Sequence, residues 1–236
     1  MTDGEVTEVE MGLVGSLVQR RREPESFPEC CWCSVRMRRG EGQVVPPDGP
    51  ERLGRFMERL KTRFDAEPEV EEVPPRVPGD GRVFALVCSC VPERGFVTGF
   101  TYGLSPFRRA KGQAPVRELC ITMRSADPRW AKVPALTVAA LRGLCPFDPG
   151  MVIGYKRPYV PPSRLSSLVL DLPAPGLDLA DPIDVADQGA DAGELIEIVG
   201  AHPVYPSERT VVHAEGLGVL FASGADLYDP DRPPLV

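Results

Sequence analysis

The clearest periodic pattern in the chain lies between residues 51 and 65, ERLGRFMERLKTRFD. Apolar side chains recur there at intervals of three and four residues, and charged side chains fill the positions between them. This period is typical of an amphipathic α-helix that buries one stripe. The stripe comprises Leu53, Phe56, Met57, Leu60 and Phe64. The pattern therefore predicts a helix that packs on a core.

Runs rich in β-branched and aromatic residues predict strands between this helix and residue 172. The predicted strands lie at residues 70–73, 82–91, 95–105, 116–124, 151–155 and 166–172. Gly99 and Gly103 interrupt the third strand, which indicates bulges or a close approach of another backbone. Residues 116–124 alternate strictly, so a half-buried antiparallel strand is expected there. Phe107 to Ala114 is expected to be a loop, and a second helix is expected to open at Pro134.

The stretch from Gly193 to Phe221 combines several of these signals. A buried strand is predicted at residues 195–199, followed by a sharp turn at 202–206 that contains His202. A hydrogen-bonded structural role is expected for this histidine. Pro206 can begin a helix, and Gly216 can end it. Together these elements predict a mixed α/β domain.

Charge is distributed unevenly along the chain, whose formal net charge is −7. Residues 166–236 hold 13 acidic and 2 basic side chains, a net charge of −11. Aspartates recur in the expected loop 173–192 at positions 178, 181, 184, 187 and 191. Nucleic-acid binding requires cations for phosphates, so this composition disfavours it and suits a basic protein partner. The simpler alternative is a solvated acidic surface that keeps the protein soluble.

Composition also bears on compartment and cofactors. No apolar run reaches the ~18 to 20 residues of a membrane span, and the acidic N-terminus does not resemble a signal peptide. A cytoplasmic protein without a membrane contact is therefore expected. Cys30, Cys31 and Cys33 lie close together among seven cysteines, but no second Cys/His pair follows at zinc-ligand spacing. Reduced thiols are expected, and a cysteine-based metal or redox site is the alternative.

The common catalytic motifs are missing from the sequence. There is no phosphate-binding G-x-x-x-x-G-K-[ST] loop, no G-x-G-x-x-G fingerprint and no H-E-x-x-H pair. Gly103-Leu104-Ser105 matches half of a nucleophile elbow, but Phe107 stands where that motif needs glycine. These absences favour a protein that is not an enzyme and uses no cofactor.

The order of the blocks resembles the Suppressor of fused (SUFU) domain family. The blocks that carry the resemblance are Phe100-Thr101-Tyr102-Gly103-Leu104-Ser105, a helix with Trp130, Pro134, Leu136 and Leu141, the strand from Leu165 to Pro173, and the stretch from Ile196 to Phe221. Many family members carry a Gly-His or Gly-Asp-His turn after the second helix. This chain instead has Gly150-Met151-Val152.

The resemblance implies an α/β fold of the α+β type, with a mixed, mostly antiparallel sheet packed with a few helices. It implies an N-terminal extension at 1–50, a SUFU-like domain at 51–222 and a C-terminal tail at 223–236. Single-domain bacterial members resemble immunity proteins of polymorphic toxin systems, a form of toxin–antitoxin pair, so the expected function is to bind and neutralise a toxin or effector protein. The alternatives are a structural interaction module of a secretion or effector assembly, or the cysteine-based protein above.

The acidic loop is the candidate partner-binding site for a basic toxin or effector domain. The candidate residues are Asp178, Asp181, Asp184 and Asp187. Charges at the rim of an interface mainly raise the association rate, so a loop of this kind would attract a basic partner. The sequence does not identify that partner or the oligomeric state.

Overall fold

A computed structural model describes residues 50–77, 79–110, 112, 115–186 and 194–236. The expectations for residues 1–49, which include the N-terminal extension and the cluster of Cys30, Cys31 and Cys33, lie outside the described residues. Asp187 lies outside them as well. The domain boundary expected at residue 51 therefore stays a prediction.

Helices and strands alternate irregularly along the described chain. The helices are α1 (Pro50–Phe64), α2 (Leu104–Ala110), α3 (Arg129–Leu141), α4 (Arg209–Glu215) and α5 (Gly218–Ala222). The strands are β1 (Glu69–Val73), β2 (Val83–Ser89), β3 (Val97–Tyr102), β4 (Arg117–Met123), β5 (Val152–Gly154), β6 (Ser167–Asp171), β7 (Ile183–Asp184) and β8 (Leu195–Val204). Short 3₁₀ helices lie at Pro175–Leu177 and Pro206–Glu208. Among the described residues, no helix is both long and apolar enough to cross a bilayer.

The strands form a single sheet in the order β1-β2-β3-β4-β8-β6-β5, and β7 pairs with the beginning of β8. Neighbouring strands run antiparallel, except that β4 and β8 run parallel. The expected mixed, mostly antiparallel sheet packed with a few helices is therefore confirmed.

Helices cover both faces of the sheet. On one face, α3 packs through Trp130, Ala135 and Val138. On the other face, α1 packs through Phe56 and Leu60, as its apolar stripe predicted. A separate apolar cluster joins α4 and α5 to β5, β6 and β8. Its buried members are Val152, Val169, Val204, Val212, Leu217, Leu220 and Leu227.

The expectation for residues 116–124 is wrong in one respect. β4 pairs antiparallel with β3, as predicted, but it also pairs in parallel with β8, and every residue after Arg117 is buried. The strand is covered on both faces because Leu119 and Ile121 belong to the cluster under α3, while Cys120 belongs to the cluster under α1. The residues alternate because each face of the strand packs in a different apolar cluster, and neither face is exposed to solvent.

Other element boundaries also differ from the prediction. α3 begins at Arg129 and carries Pro134 in its interior. α2 occupies part of the expected loop at residues 107–114. β8 continues to Val204, so His202 lies in a strand opposite Val169 rather than in a turn. The expected hydrogen-bonded role of His202 is confirmed, because its Nε2 lies 2.8 Å from the carbonyl oxygen of Leu172 and donates to it.

Candidate partner-binding surface

The aspartate-rich loop lies flat against the molecule between residues 174 and 186. Its apolar side chains are buried under α1, and they are Leu177, Leu179, Ile183 and Val185. Asp178, Asp181 and Asp184 alternate with them and are exposed. Burial of the apolar residues is favourable and fixes one side of the loop against the protein, so the carboxylates on the other side face solvent.

Arginines of α1 fix the backbone of this loop. Arg55 Nε donates to the carbonyl oxygen of Val185 at 2.7 Å, Arg59 Nε to that of Asp184 at 3.0 Å, and Arg63 Nη1 to that of Asp178 at 3.1 Å. Residues four apart lie on one face of a helix, so these three donors form a row. Because these arginines bind carbonyl oxygens, they leave the carboxylates of Asp178 and Asp181 available to a partner.

Asp184 has a second role that Asp178 and Asp181 do not share. Its Oδ1 accepts hydrogen bonds from the backbone N–H groups of Ala186 at 2.9 Å and Glu194 at 3.0 Å. These hydrogen bonds lower the pKa of the Asp184 carboxyl below its ordinary value, and the charge of Arg59 acts in the same direction. Asp184 thus helps to close the loop as well as contributing charge.

The beginning of α1 is attached to the sheet by Arg52, which is 2% exposed. Its Nε donates to Glu194 Oε1 at 2.5 Å, and its Nη1 donates to the hydroxyls of Tyr102 at 3.1 Å and Ser105 at 3.0 Å. This ion pair holds the residue before β8 against α1. Together with Arg55, Arg59 and Arg63, it makes α1 the support of the acidic loop.

The row of arginines is the part of this surface that sequence reasoning missed. The sequence pattern predicts the apolar stripe of α1, but it gives no role to the charged positions between the apolar ones. The signal was present, since Arg55, Arg59 and Arg63 repeat every four residues. What the sequence could not supply is the register of the loop on the helix, because the loop follows more than a hundred residues later.

Glu118 is a fully buried carboxylate that the sequence did not indicate. Its oxygens accept from the backbone N–H groups of Gly103 at 2.9 Å, Leu104 at 3.3 Å and Ser105 at 2.8 Å, and from the hydroxyl of Thr101 at 2.5 Å. A carboxylate placed on the first N–H groups of a helix stabilises that helix. Glu118 therefore supports α2 from a neighbouring strand.

Ser105 of the partial nucleophile elbow and the buried thiols of Cys88 and Cys120 lie in environments that do not activate a nucleophile. The hydroxyl of Ser105 accepts a hydrogen bond from Arg52, which is a guanidinium and not a base. Burial raises the pKa of both Cys88 and Cys120 to about 12, which keeps these thiols protonated at neutral pH. Among the described residues, no group of three or more His, Cys, Asp or Glu is arranged to hold a metal ion.

Comparison with known proteins defines the fold. No family model matches the sequence, and no curated protein matches it. Among solved structures, a SUFU (suppressor of fused protein) homolog from Neisseria gonorrhoeae matches with a TM-score of 0.56 and 16% identity, over 80% of this chain and 98% of the other. A chain of the Sufu–Fu complex crystal structure matches with a TM-score of 0.53 and 15% identity, over 80% of this chain and 92% of the other. The chain has the Suppressor of fused fold.

Proposed function

We propose that this chain is a non-catalytic, cytoplasmic immunity protein that binds and neutralises a basic toxin or effector domain. The SUFU-like fold supports a protein-interaction domain, since one structural neighbour was solved as the Sufu–Fu complex. The identification of the partner as a toxin is more specific than the fold alone supports. It rests on the acidic loop and on the resemblance of the chain to single-domain bacterial members of the family.

The observation that carries the proposal is the exposed acidic loop on a fixed support. A mobile loop loses conformational freedom when it binds, and that loss reduces affinity. Here the backbone is held by Arg55, Arg59 and Arg63 and by buried leucines before any partner arrives. The carboxylates of Asp178 and Asp181 are therefore presented in fixed positions.

Charge complementarity specifies the kind of partner. The loop belongs to the C-terminal third, residues 166–236, whose net charge is −11. A surface of one sign attracts an oppositely charged protein over a distance of about one Debye length and raises the association rate. A basic toxin domain, such as a nuclease that carries cations for its own phosphate substrate, fits this requirement.

The test is binding and inhibition of the effector encoded beside the gene. The two purified proteins should form a complex that survives size-exclusion chromatography, and co-expression should protect cells from the effector. An unrelated basic protein of similar size and charge is the control and should not co-elute. Binding without protection would favour the structural interaction module. Failure to bind any neighbouring effector would contradict the immunity function.

A further inference from the structure

A second charged surface lies away from the acidic loop, around the connection between β5 and β6. Residues 149–170 contain Lys156, Arg157 and Arg164 and no acidic residue, although the whole chain has a net charge of −7. We call this surface, with its neighbours on the turn after β8, the basic–aromatic patch. Its members are Tyr155, Lys156, Arg157, Tyr159, Arg164, Tyr205 and Arg209.

The connection between β5 and β6 is ordered by its own aromatic residues. The rings of Tyr155 and Tyr159 stack at 5.5 Å between centroids with an interplanar angle of 9°. The backbone N–H of Tyr155 donates to Ser166 at 2.8 Å, and that of Tyr159 donates to Leu165 at 3.0 Å. Lys156 and Arg157 are therefore exposed on a connection whose two flanking tyrosines pack on each other.

The turn after β8 contacts this connection through Tyr205 and adds one more cation, Arg209. The guanidinium of Arg164 lies 5.8 Å from the ring centroid of Tyr205. Arg209 begins α4, four residues further on. Arg157 and Arg164 are exposed, and neither makes an ion pair with a residue that the structure describes. Asp229 and Asp231 of the tail flank Pro230, whose carbonyl oxygen accepts from Ser163 at 2.6 Å.

A buried hydroxyl in the patch has no partner. The oxygen of Tyr159 is shielded from solvent and makes no hydrogen bond within the described part of the chain. Burial raises the pKa of Tyr159 well above its ordinary value, and the charge of Arg209 acts in the opposite direction. The hydroxyl is therefore a protonated donor close to a guanidinium. Buried polar groups are nearly always paired, so this donor needs an explanation.

We propose that the basic–aromatic patch docks an acidic segment of a partner protein. Carboxylates of that segment would pair with the guanidinium groups of Arg157 and Arg164, which bind planar anions in a bidentate manner. The Tyr159 hydroxyl is shielded in the free protein, so the side chains that cover it would move aside for one carboxylate to accept its hydrogen bond. The occupant is a protein rather than a nucleic acid, because the SUFU-like fold supports a protein-interaction domain.

Single charge reversals test this surface without any knowledge of the toxin. The probe is a fluorescein-labelled deca-glutamate peptide, and binding is measured by fluorescence anisotropy at low salt. Arg157→Glu and Arg164→Glu should each weaken binding by about threefold to tenfold, because each reverses a charge within reach of the peptide. Arg94→Glu is the matched control, since Arg94 is exposed outside the patch and the change in net charge is identical.

Tyr159→Phe tests the hydroxyl. This change removes an unpaired donor, so the free protein should keep its stability or gain slightly. Binding of deca-glutamate should still weaken, by roughly twofold to fivefold, because a hydrogen bond to the carboxylate is lost. If the hydroxyl is only an unsatisfied group of the fold, the affinity of Tyr159→Phe will equal that of the wild type.

Three results would overturn the proposal. They are no binding of deca-glutamate to the wild type, equal effects of Arg157→Glu and Arg94→Glu, and tighter binding of a labelled deca-uridylate than of deca-glutamate. The last result would identify a nucleic-acid surface. None of these results depends on the acidic loop, so the patch can fail while the proposed immunity function stands, and the reverse also holds.

Discussion

At the scale of single residues, Gly99 sets the distance between the sheet and α3. A Cβ atom at this position would lie 2.0 Å from the carbonyl oxygen of Ala131, which is far inside van der Waals contact. The interruption of the strand pattern by glycine predicted such an approach, and that prediction is confirmed. The backbone of α3 cannot shift without disturbing the buried side chains of Trp130 and Ala135.

We expect Gly99→Ala to lower the free energy of unfolding by about 3 kcal/mol or more, since overpacking against backbone cannot be relieved by a rotamer change. Urea unfolding measures the effect. Gly54→Ala is the matched control, because nothing lies within 4 Å of its Cβ position in α1. Replacement of an exposed helical glycine should stabilise by roughly 0.5–1 kcal/mol. Similar effects of the two changes would contradict the close approach.

His202 links stability to pH. Burial lowers the pKa of its imidazole, while the hydrogen bond to Leu172 and the charge of Asp171 act in the opposite direction. The carbonyl oxygen of Leu172 only accepts, so the neutral ring carries its proton on Nε2. The unfolded state therefore binds a proton more readily than the folded state. The contribution of His202 to the free energy of unfolding is complete above the unfolded pKa of about 6.5 and is lost as pH falls below it.

The expected result is a decrease in the free energy of unfolding between about pH 7.5 and 5 that His202→Gln reduces. Glutamine keeps an N–H donor for Leu172 but does not titrate. The measurement is urea unfolding across this range. His213→Gln, at an exposed position in α4, should retain the full pH dependence of the wild type. An identical pH profile for His202→Gln would show that other groups cause the decrease.

At the scale of elements, α1 and the acidic loop act as one unit. Removal of Arg59 should leave the apolar contacts of α1 intact but free the carbonyl oxygen of Asp184. We expect Arg59→Ala to cost about 0.5–1.5 kcal/mol and to speed amide hydrogen exchange of Ala186 and Glu194. Hydrogen exchange measures both amides. Glu58→Ala, at the next exposed position of the same helix, should leave their exchange unchanged.

The C-terminal tail is held by a buried ion pair. Arg232 Nη1 and Nη2 each donate to Glu208 at 2.6 Å, and the carboxylate also accepts from the backbone N–H groups of Tyr205 at 2.8 Å and Leu235 at 3.1 Å. Glu208 is fully buried and Arg232 is 3% exposed. Loss of one charge would leave the other buried and uncompensated.

Glu208→Gln should therefore lower the free energy of unfolding by about 3 kcal/mol or more. The double variant Glu208→Gln/Arg232→Gln should lose less than Glu208→Gln alone, because no unpaired charge remains buried. Urea unfolding of the two variants and of Arg232→Gln completes a double-mutant cycle. Additive losses would contradict a coupled pair.

The elements also show which parts of the fold can be predicted from patterns of neighbouring residues in the sequence. The stripe of α1 and the strands β2, β3 and β6 are visible in the sequence because each is defined by neighbours along the chain. α2 is not visible, since the acceptor for its first N–H groups is Glu118 of β4. The parallel pairing of β4 with β8 is equally hidden, because Arg117 meets Glu197 only after eighty further residues.

At the scale of the whole molecule, charge is separated by the layers of the fold. The acidic loop packs against α1, and the basic–aromatic patch lies around the β5–β6 connection. The sequence predicted the acidic loop from composition alone. It did not predict the patch, whose tyrosines and arginines come from 155–164 and from the turn after β8.

The loop as a docking surface yields a prediction about rates. Replacement of Asp178, Asp181, Asp184 and Asp187 by asparagine removes four negative charges from the loop. At the exposed positions Asp178 and Asp181 the change should cost within about 0.5 kcal/mol of stability. The amide oxygen of an asparagine in place of Asp184 can still accept the two backbone hydrogen bonds. Association with the basic partner should slow by roughly threefold or more at low salt, and much less at 1 M salt, where the Debye length falls to about 3 Å. The dissociation rate should change little.

Stopped-flow fluorescence at several salt concentrations separates this outcome from a general effect of net charge. The double variant Asp178→Asn/Asp181→Asn should slow association more than Glu93→Gln/Glu215→Gln, which removes the same two negative charges from exposed positions elsewhere. Steering depends on where the charge lies as well as on its sum, because screening limits each charge to its own neighbourhood. Equal rates for the two double variants at low ionic strength would remove the loop from the interface and leave it as a solvated acidic surface.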